Sequence, residues 1–133
     1  MRRTVLCLAL ILGSTSTWLA ASDSNGAWQS KVPQKDRVRV NPQALDPQAV
    51  EAGAVVFARH CASCHGSDAA GLGKHPSLRS ARIHQASDGE IQWLLRNGSL
   101  AHGMPAWSGL PEIQRWQVVR YLHSLPQEGN RPR

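Results

Sequence analysis

The chain has 133 residues, a formal net charge of +6 and three cysteines. That allows one small domain with a thin core of its own and excludes a disulfide-dense scaffold. It carries no block of lysines and no basic run with interleaved aromatics, which argues against nucleic-acid binding; a mildly positive surface suits steering toward an acidic protein partner.

Residues 1–22 read as a signal peptide. Arg2 and Arg3 precede an apolar run from Val5 to Leu12, and the small and polar stretch "GSTSTWLAAS" follows. Cleavage after Ser22 puts Ala20 and Ser22 at the small-residue positions, with cleavage after Ala21 as a rival. The run is short for a bilayer crossing, so an uncleaved membrane anchor is the minor alternative. Cys7 lies inside the run rather than after it, which does not fit a lipid-modified cysteine. Removal of this segment leaves Cys61 and Cys64 as the only thiols and lowers the net charge to +4.

Residues 23–45 are polar, broken by Pro33 and Pro42, and read as a disordered leader whose one large apolar residue is Trp28. A domain over residues 46–126 should begin at Asp46, a candidate N-cap, with Pro47 as the first helical residue. In "QAVEAGAVVFARH", Ala49, Val50, Gly53, Val56, Phe57 and His60 share one face at helical spacing. Gly53 in mid-helix costs about 1 kcal/mol against alanine, which close approach of a second helix would justify. Residues 66–86 lack a period and read as loop with one short helical turn. Ser87-Asp88-Gly89-Glu90 fits a capping box opening a helix with Ile91, Leu94 and Leu95 on its apolar stripe, and Asn97-Gly98 stops it. After the loop "SLAHGMPAWSGLP", a last helix from Pro111 to Leu125 turns Ile113, Trp116, Val118 or Val119, Leu122 and Leu125 inward. Residues 127–133 form a tail. No alternating strand is present, so the expected class is all-α, three main helices with long loops; loops this long around so small a core wrap something.

The stretch "HCASCHG", residues 60–66, says what. On a helical turn, positions i and i+3 point to one side, so Cys61 and Cys64 can reach two vinyl groups on one porphyrin edge. His65 then offers a ring nitrogen to iron. This is the pattern of c-type haem attachment. A thioredoxin-like dithiol should follow a strand, but this motif follows a helix. A zinc site lacks its further cysteines, and a disulfide across two residues constrains little. With His65 on one axial side, the other is either open, as in a ligand-binding or peroxidase-like site, or filled. The one methionine outside the signal segment, Met104 in "HGMPAW", is the candidate second ligand on the known His/Met pairing. Gly103 lets its backbone approach and Pro105 stiffens the loop. His102 is the rival, and His60, His75, His84 and His123 read as solvent or packing residues.

The order "GAVVF", "CASCHG", "GLGKHPSL", "LLRNGSLAHGMPAW", "WQVVRYLHSL" resembles class I monohaem bacterial c-type cytochromes over residues 46–126. The resemblance implies the cytochrome c fold, with terminal helices crossing where Gly53 and Phe57 meet Tyr121 and Leu122. It implies one covalently attached haem c per chain. The carbonyl of Pro76 would accept from the other nitrogen of His65, although the family's "GP" step is "HP" here, and Trp107 would lie near the propionates. Arg59, Lys74, Arg79, Arg82 and Arg96 are candidates for a basic haem rim. The implied function is periplasmic single-electron transfer, not enzymatic catalysis, between redox partners with acidic docking surfaces. "VNPQALDPQAVEAG" and "GMPAW" look like cytochromes serving quinoprotein dehydrogenases or terminal oxidases. The alternative is a haem enzyme or gas sensor with a labile or absent sixth ligand.

Overall fold

The structure is a computed structural model that describes residues 27–129. The expected signal segment, residues 23–26 of the expected leader and residues 130–133 of the tail lie outside the described residues. The elements are α1 (Ala27–Ser30), α2 (Gln34–Arg37), α3 (Ala49–His60), α4 (Ala62–His65), α5 (Ala81–Gln85), α6 (Asp88–Asn97), a 3-10 turn at Leu100–His102, and α7 (Glu112–Ser124). Among the described residues there is no β-strand, only two isolated bridges. The all-α expectation holds.

The long helices sit where the sequence signals put them. Asp46 starts the entry turn, its Oδ1 accepting from Gln48 N at 2.9 Å, but the helix proper opens at Ala49. Ala49, Gly53, Val56 and Phe57 are buried on α3. Ser87 caps α6 through a full capping box: its Oγ accepts from Glu90 N, and Glu90 Oε2 accepts from Ser87 N. Gly98, at φ 69°, ends α6. On α7, Trp116, Val118, Val119 and Leu122 are buried, while Ile113, expected in the core, is 43% exposed. Burial of both Val118 and Val119 widens the inward face and turns it away from Ile113.

The main packing is α3 on α7, and it runs through Gly53. Phe57 and Tyr121 meet one step along the same crossing, their rings tilted by 48° with centroids 5.2 Å apart. The core then continues through Ile83 of α5 and Ile91 and Leu95 of α6.

Residues 27–45 correct the expectation of a disordered leader. They form an ordered strap, with Val32, Asp36 and Asn41 buried. Its fasteners are polar. Arg37 pairs with Glu90, and Asp36 Oδ1 accepts from Arg96 Nη2 at 3.1 Å. Arg39 pairs with Glu112 and lies over the Trp116 ring, 5.1 Å from its centroid. Asn41 Nδ2 donates to Trp116 O. Gly89 lets the strap backbone come close, since a Cβ there would overlap Asp36 O and lie 3.0 Å from Arg37 O. A polar composition reads as disorder only while its charges lack fixed partners, and α6 and α7 supply them. At the other end, Glu128 N donates to Arg79 O at 2.8 Å, so the start of the tail is docked too.

α5 and α7 meet through His84 and His123, ring centroids 6.5 Å apart, and His123 Nδ1 lies 3.0 Å from Asp88 Oδ1. Burial, then the neighbouring His123, hold His84 below the ordinary histidine range. The His123 hydrogen bond, foremost, holds Asp88 below the ordinary carboxylate range. Both signs point the same way on acidification. The unfolded chain takes up the His84 proton first, so stability falls once pH drops below about 6.5. The Asp88 contribution is lost later, as pH falls below about 3.9 and through its folded value. The melting temperature of the holoprotein should therefore be lower at pH 5 than at pH 7.5. His84→Gln should flatten that difference, as read by thermal circular dichroism.

Candidate haem site

The site is built on the end of α3. Cys61 caps α3, and α4 begins at the next residue. The single turn is closed by Cys64 N and His65 N, both donating to Cys61 O, and by Gly66 N donating to Ala62 O. Gly66, at φ 81°, then reverses the chain. Gly71 N donates back to His65 O, and Gly71 leaves no room for a Cβ, which would meet His75 O and Ser77 N at 2.8 and 2.9 Å. This fold-back brings Pro76 to His65, whose Nδ1 lies 3.0 Å from Pro76 O. A carbonyl only accepts, so Nδ1 carries the proton and Nε2 keeps its lone pair. Burial, foremost, holds His65 below the ordinary histidine range, which favours the neutral ring that binds metal. The carbonyl makes this contact, so histidine at position 75 in place of glycine does not disturb it.

These residues open into a cavity of about 890 Å3. Cys61, Cys64, His65, Pro76, Met104 and Trp107 all line it, so the structure brings together the expected tethering, ligating and haem-contacting residues, though not Arg59, Arg79 and Arg96 of the expected rim. Apolar walls come from Phe57, Ile91, Leu94, Val118 and Leu122. Lys74 and Arg82 lie on the lining as well. Arg96 and Arg79, two other rim candidates, are engaged elsewhere: Arg96 with Asp36, and Arg79 through Nε to Pro126 O at 3.0 Å. Trp107 meets His60 edge-on, ring centroids 5.4 Å apart, and its backbone N–H donates to Leu95 O at 2.8 Å. The sequence reading missed Trp28, which the strap carries to the cavity wall from outside the recognisable motifs.

Met104 sits in a short pinched loop. Ser99 N donates to Met104 O at 2.9 Å and Met104 N to Ser99 O at 3.1 Å, on either side of the Leu100–His102 turn. Gly98 presses on the far side of the loop, where a Cβ would lie 2.6 Å from Ala106 N. Met104 is half-buried against the core, whereas His102 is exposed, with Ser99 Oγ 2.9 Å from its Nδ1.

The residues fit a covalently held haem. The cavity has the size of a cofactor site, two thiols stand at its edge, and an oriented imidazole and a thioether reach it from separate segments. The thiols are not joined in a disulfide. Burial, and then Cys64, push the Cys61 thiol up to about 11, the opposite of an activated dithiol. Among the described residues, no group of three or more His, Cys, Asp or Glu side chains is arranged to hold a metal ion.

Residues 48–122 match the family described as cytochrome C oxidase, cbb3-type, subunit III. The chain belongs to this family of c-type cytochromes. It is an electron-transfer domain carrying haem c. The chain is similar to the cbb3-type cytochrome c oxidase subunit FixPc of Rhizobium leguminosarum bv. viciae, 38% identical over 84 residues, 60% of this chain and 29% of that protein. It is also similar to the quinohemoprotein alcohol dehydrogenase ADH-IIG of Pseudomonas putida, 33% identical over 110 residues, 77% of this chain and 15% of that protein. The chain thus spans under a third of the length of either relative. In fold it matches cytochrome CL from the marine methylotrophic bacterium Methylophaga aminisulfidivorans, with a TM-score of 0.55 and 21% identity over 64% of this chain and 58% of that one. That likeness supports the cytochrome c fold of a family member. Among the described residues, no helix is long and apolar enough to cross a membrane.

Proposed function

We propose that this cytochrome is a periplasmic electron carrier in which His65 and Met104 grip the haem from its two axial sides. Cys61 and Cys64 tether it, and Pro76 orients His65. The observation that carries the reading is the convergence of the Met104 loop and the CxxCH turn on one cavity. Met104 is favoured over His102 because it packs against the core, while His102 is exposed and turned toward Ser99. The bound haem supplies a one-electron iron couple. The protein's part is fixed geometry and exclusion of water. The Pro76 carbonyl keeps His65 in one tautomer and raises its donor strength. Phe57, Ile91 and Leu94 lower the polarity around the site. A thioether in the second position favours the reduced state and raises the potential. A filled second position also shuts out oxygen and peroxide, which separates a carrier from a haem enzyme or gas sensor.

Residues 1–22 direct export in this reading. The electron donor is a dehydrogenase of the quinoprotein kind or a respiratory complex, and the acceptor is a terminal oxidase. Lys74 and Arg82 at the cavity lining are the residues that would meet an acidic docking surface, so encounter should slow as salt rises.

The deciding experiment is the visible spectrum of the ferric holoprotein. Sulfur-to-iron bonding gives a weak far-red band. Met104→Ala should abolish it, let cyanide bind at once and lower the potential by roughly 0.1–0.3 V, part of the ~0.8 V that axial ligands span. His102→Ala should change none of these. A far-red band that survives in Met104→Ala, or a wild-type protein that takes up carbon monoxide immediately once reduced with dithionite, would overturn the reading.

A further inference from the structure

In the loop that carries Met104, burial holds only Met104, Trp107 and Leu110, each half-buried. Pro105, Ala106, Ser108 and Gly109 are all exposed. Hydrophobic packing does not reach this exposed stretch, so its path depends on polar anchors as well. Upstream, the Ser99–Met104 pairing and the close fit of Gly98 do this. Downstream, the work falls to one buried side chain. Arg115, on the first turn of α7, is 6% exposed. Its Nη1 donates to the carbonyls of Trp107 at 3.2 Å, Ser108 at 3.4 Å and Leu110. Its Nε donates to Gln92 Oε1 at 3.1 Å, and Gln92 is 1% exposed on α6. Gln92 Nε2 in turn reaches Glu112 O at 3.5 Å. One guanidinium thus ties three carbonyls within residues 107–110 to both helices beneath them. A charged group is buried at this cost when its fork geometry does something that a neutral residue cannot.

We infer that Arg115 is a positioning residue for Met104: it clamps residues 107–110 to α6 and α7 and so sets how readily the sulfur leaves the iron. The inference rests on the reading of Met104 as ligand given above. A site carried on a loop is only as rigid as the shell that supports it. Loosening the downstream anchor leaves the sulfur held from one side only, and an external ligand then competes more easily.

The test uses the ferric holoprotein and imidazole as the probe. At saturating imidazole, the rate of replacement reports dissociation of the native ligand. In Arg115→Met that limiting rate should rise about tenfold, as expected for loss of a buried charge-assisted contact set, and the resting far-red band should weaken. Arg115→Lys, which keeps the charge but not the fork, should fall between. Should Arg115→Met fail to fold, Gln92→Leu removes the Nε acceptor and the long contact to Glu112 O, leaves the three carbonyl contacts of Arg115 in place, and should give about a threefold rise, a fraction of the same contact set. Val119→Ala, in the α7 core and away from the loop, serves as the stability control: it should lower the melting temperature and leave the imidazole rate unchanged. The inference is overturned if the Arg115 and Gln92 variants exchange at the wild-type rate, or if Val119→Ala accelerates exchange as much for the same loss of melting temperature. Either result leaves the Met104 assignment intact, because that assignment stands or falls on Met104→Ala alone.

Discussion

Replacing Cys61 and Cys64 together by alanine should leave the chain both without tethered haem and without its fold. The reason is the size of the cavity relative to the core around it. A dry, rigid void of about 890 Å3 would cost on the order of 20 kcal/mol at the price per volume found for core cavities. The whole stability of an ordinary domain is about 5–15 kcal/mol. Flooding the void instead exposes Phe57, Ile91, Leu94, Val118 and Leu122, which are the inward faces of all three long helices. The cofactor would therefore fill the space that α3, α6 and α7 enclose beside the direct α3–α7 contact. On a denaturing gel the double variant should show no haem stain, and its far-UV circular dichroism should lack a cooperative melt. Either single variant keeps one thioether and should stain and melt, at a lower temperature. A double variant with native helicity and a cooperative transition would show that the helices hold the cavity open by themselves.

The parts of this site that sequence reading found are those whose chemistry is local. The CxxCH spacing fixes its geometry within one helical turn, and Ser87 with Glu90 declares a helix start within four residues. Pro76 and Met104 were legible from the motifs around them. What stayed hidden depends on partners far away in the chain. Residues 27–45 look like solvent-loving leader until Asp36 meets Arg96 and Arg37 meets Glu90 across more than fifty residues. The same distance hid Trp28 as a cavity wall and turned Arg96 from a rim cation into a strap fastener. Arg115 is the sharpest case. Periodicity sends an arginine outward and Ile113 inward, yet the structure does the reverse, because three loop carbonyls need a donor that isoleucine lacks. A hydrophobic pattern records which faces avoid water; it carries no record of which carbonyls a loop leaves unpaired.

Gly53 is the position where sequence and packing speak most directly to each other, and Gly53→Ala should be strongly damaging for a change of one methyl group. A Cβ there would overlap Gln117 O, lie 2.6 Å from Gln117 C and 2.9 Å from Tyr121 Cβ. The obstacle is the backbone of α7, which cannot rotate away as a side chain would. Alanine recovers about 1 kcal/mol of helix propensity, but relief of the overlap requires α3 and α7 to separate along their main contact. Overpacking of flexible neighbours costs about 1–3 kcal/mol; a backbone obstacle should reach at least the top of that range. At about 4–8 °C per kcal/mol for a domain of this size, the melting temperature should fall by roughly 10 °C or more. Gly109→Ala, with open space around its Cβ and no positive φ, should change it by little. The effect should also reach the haem. Phe57 of α3 and Val118 and Leu122 of α7 line the same cavity, so helices that part at Gly53 widen the site between them. A Gly53→Ala protein that melts within a few degrees of wild type, with an unaltered haem spectrum, would mean that the crossing tolerates the extra methyl and is not what shapes the cavity.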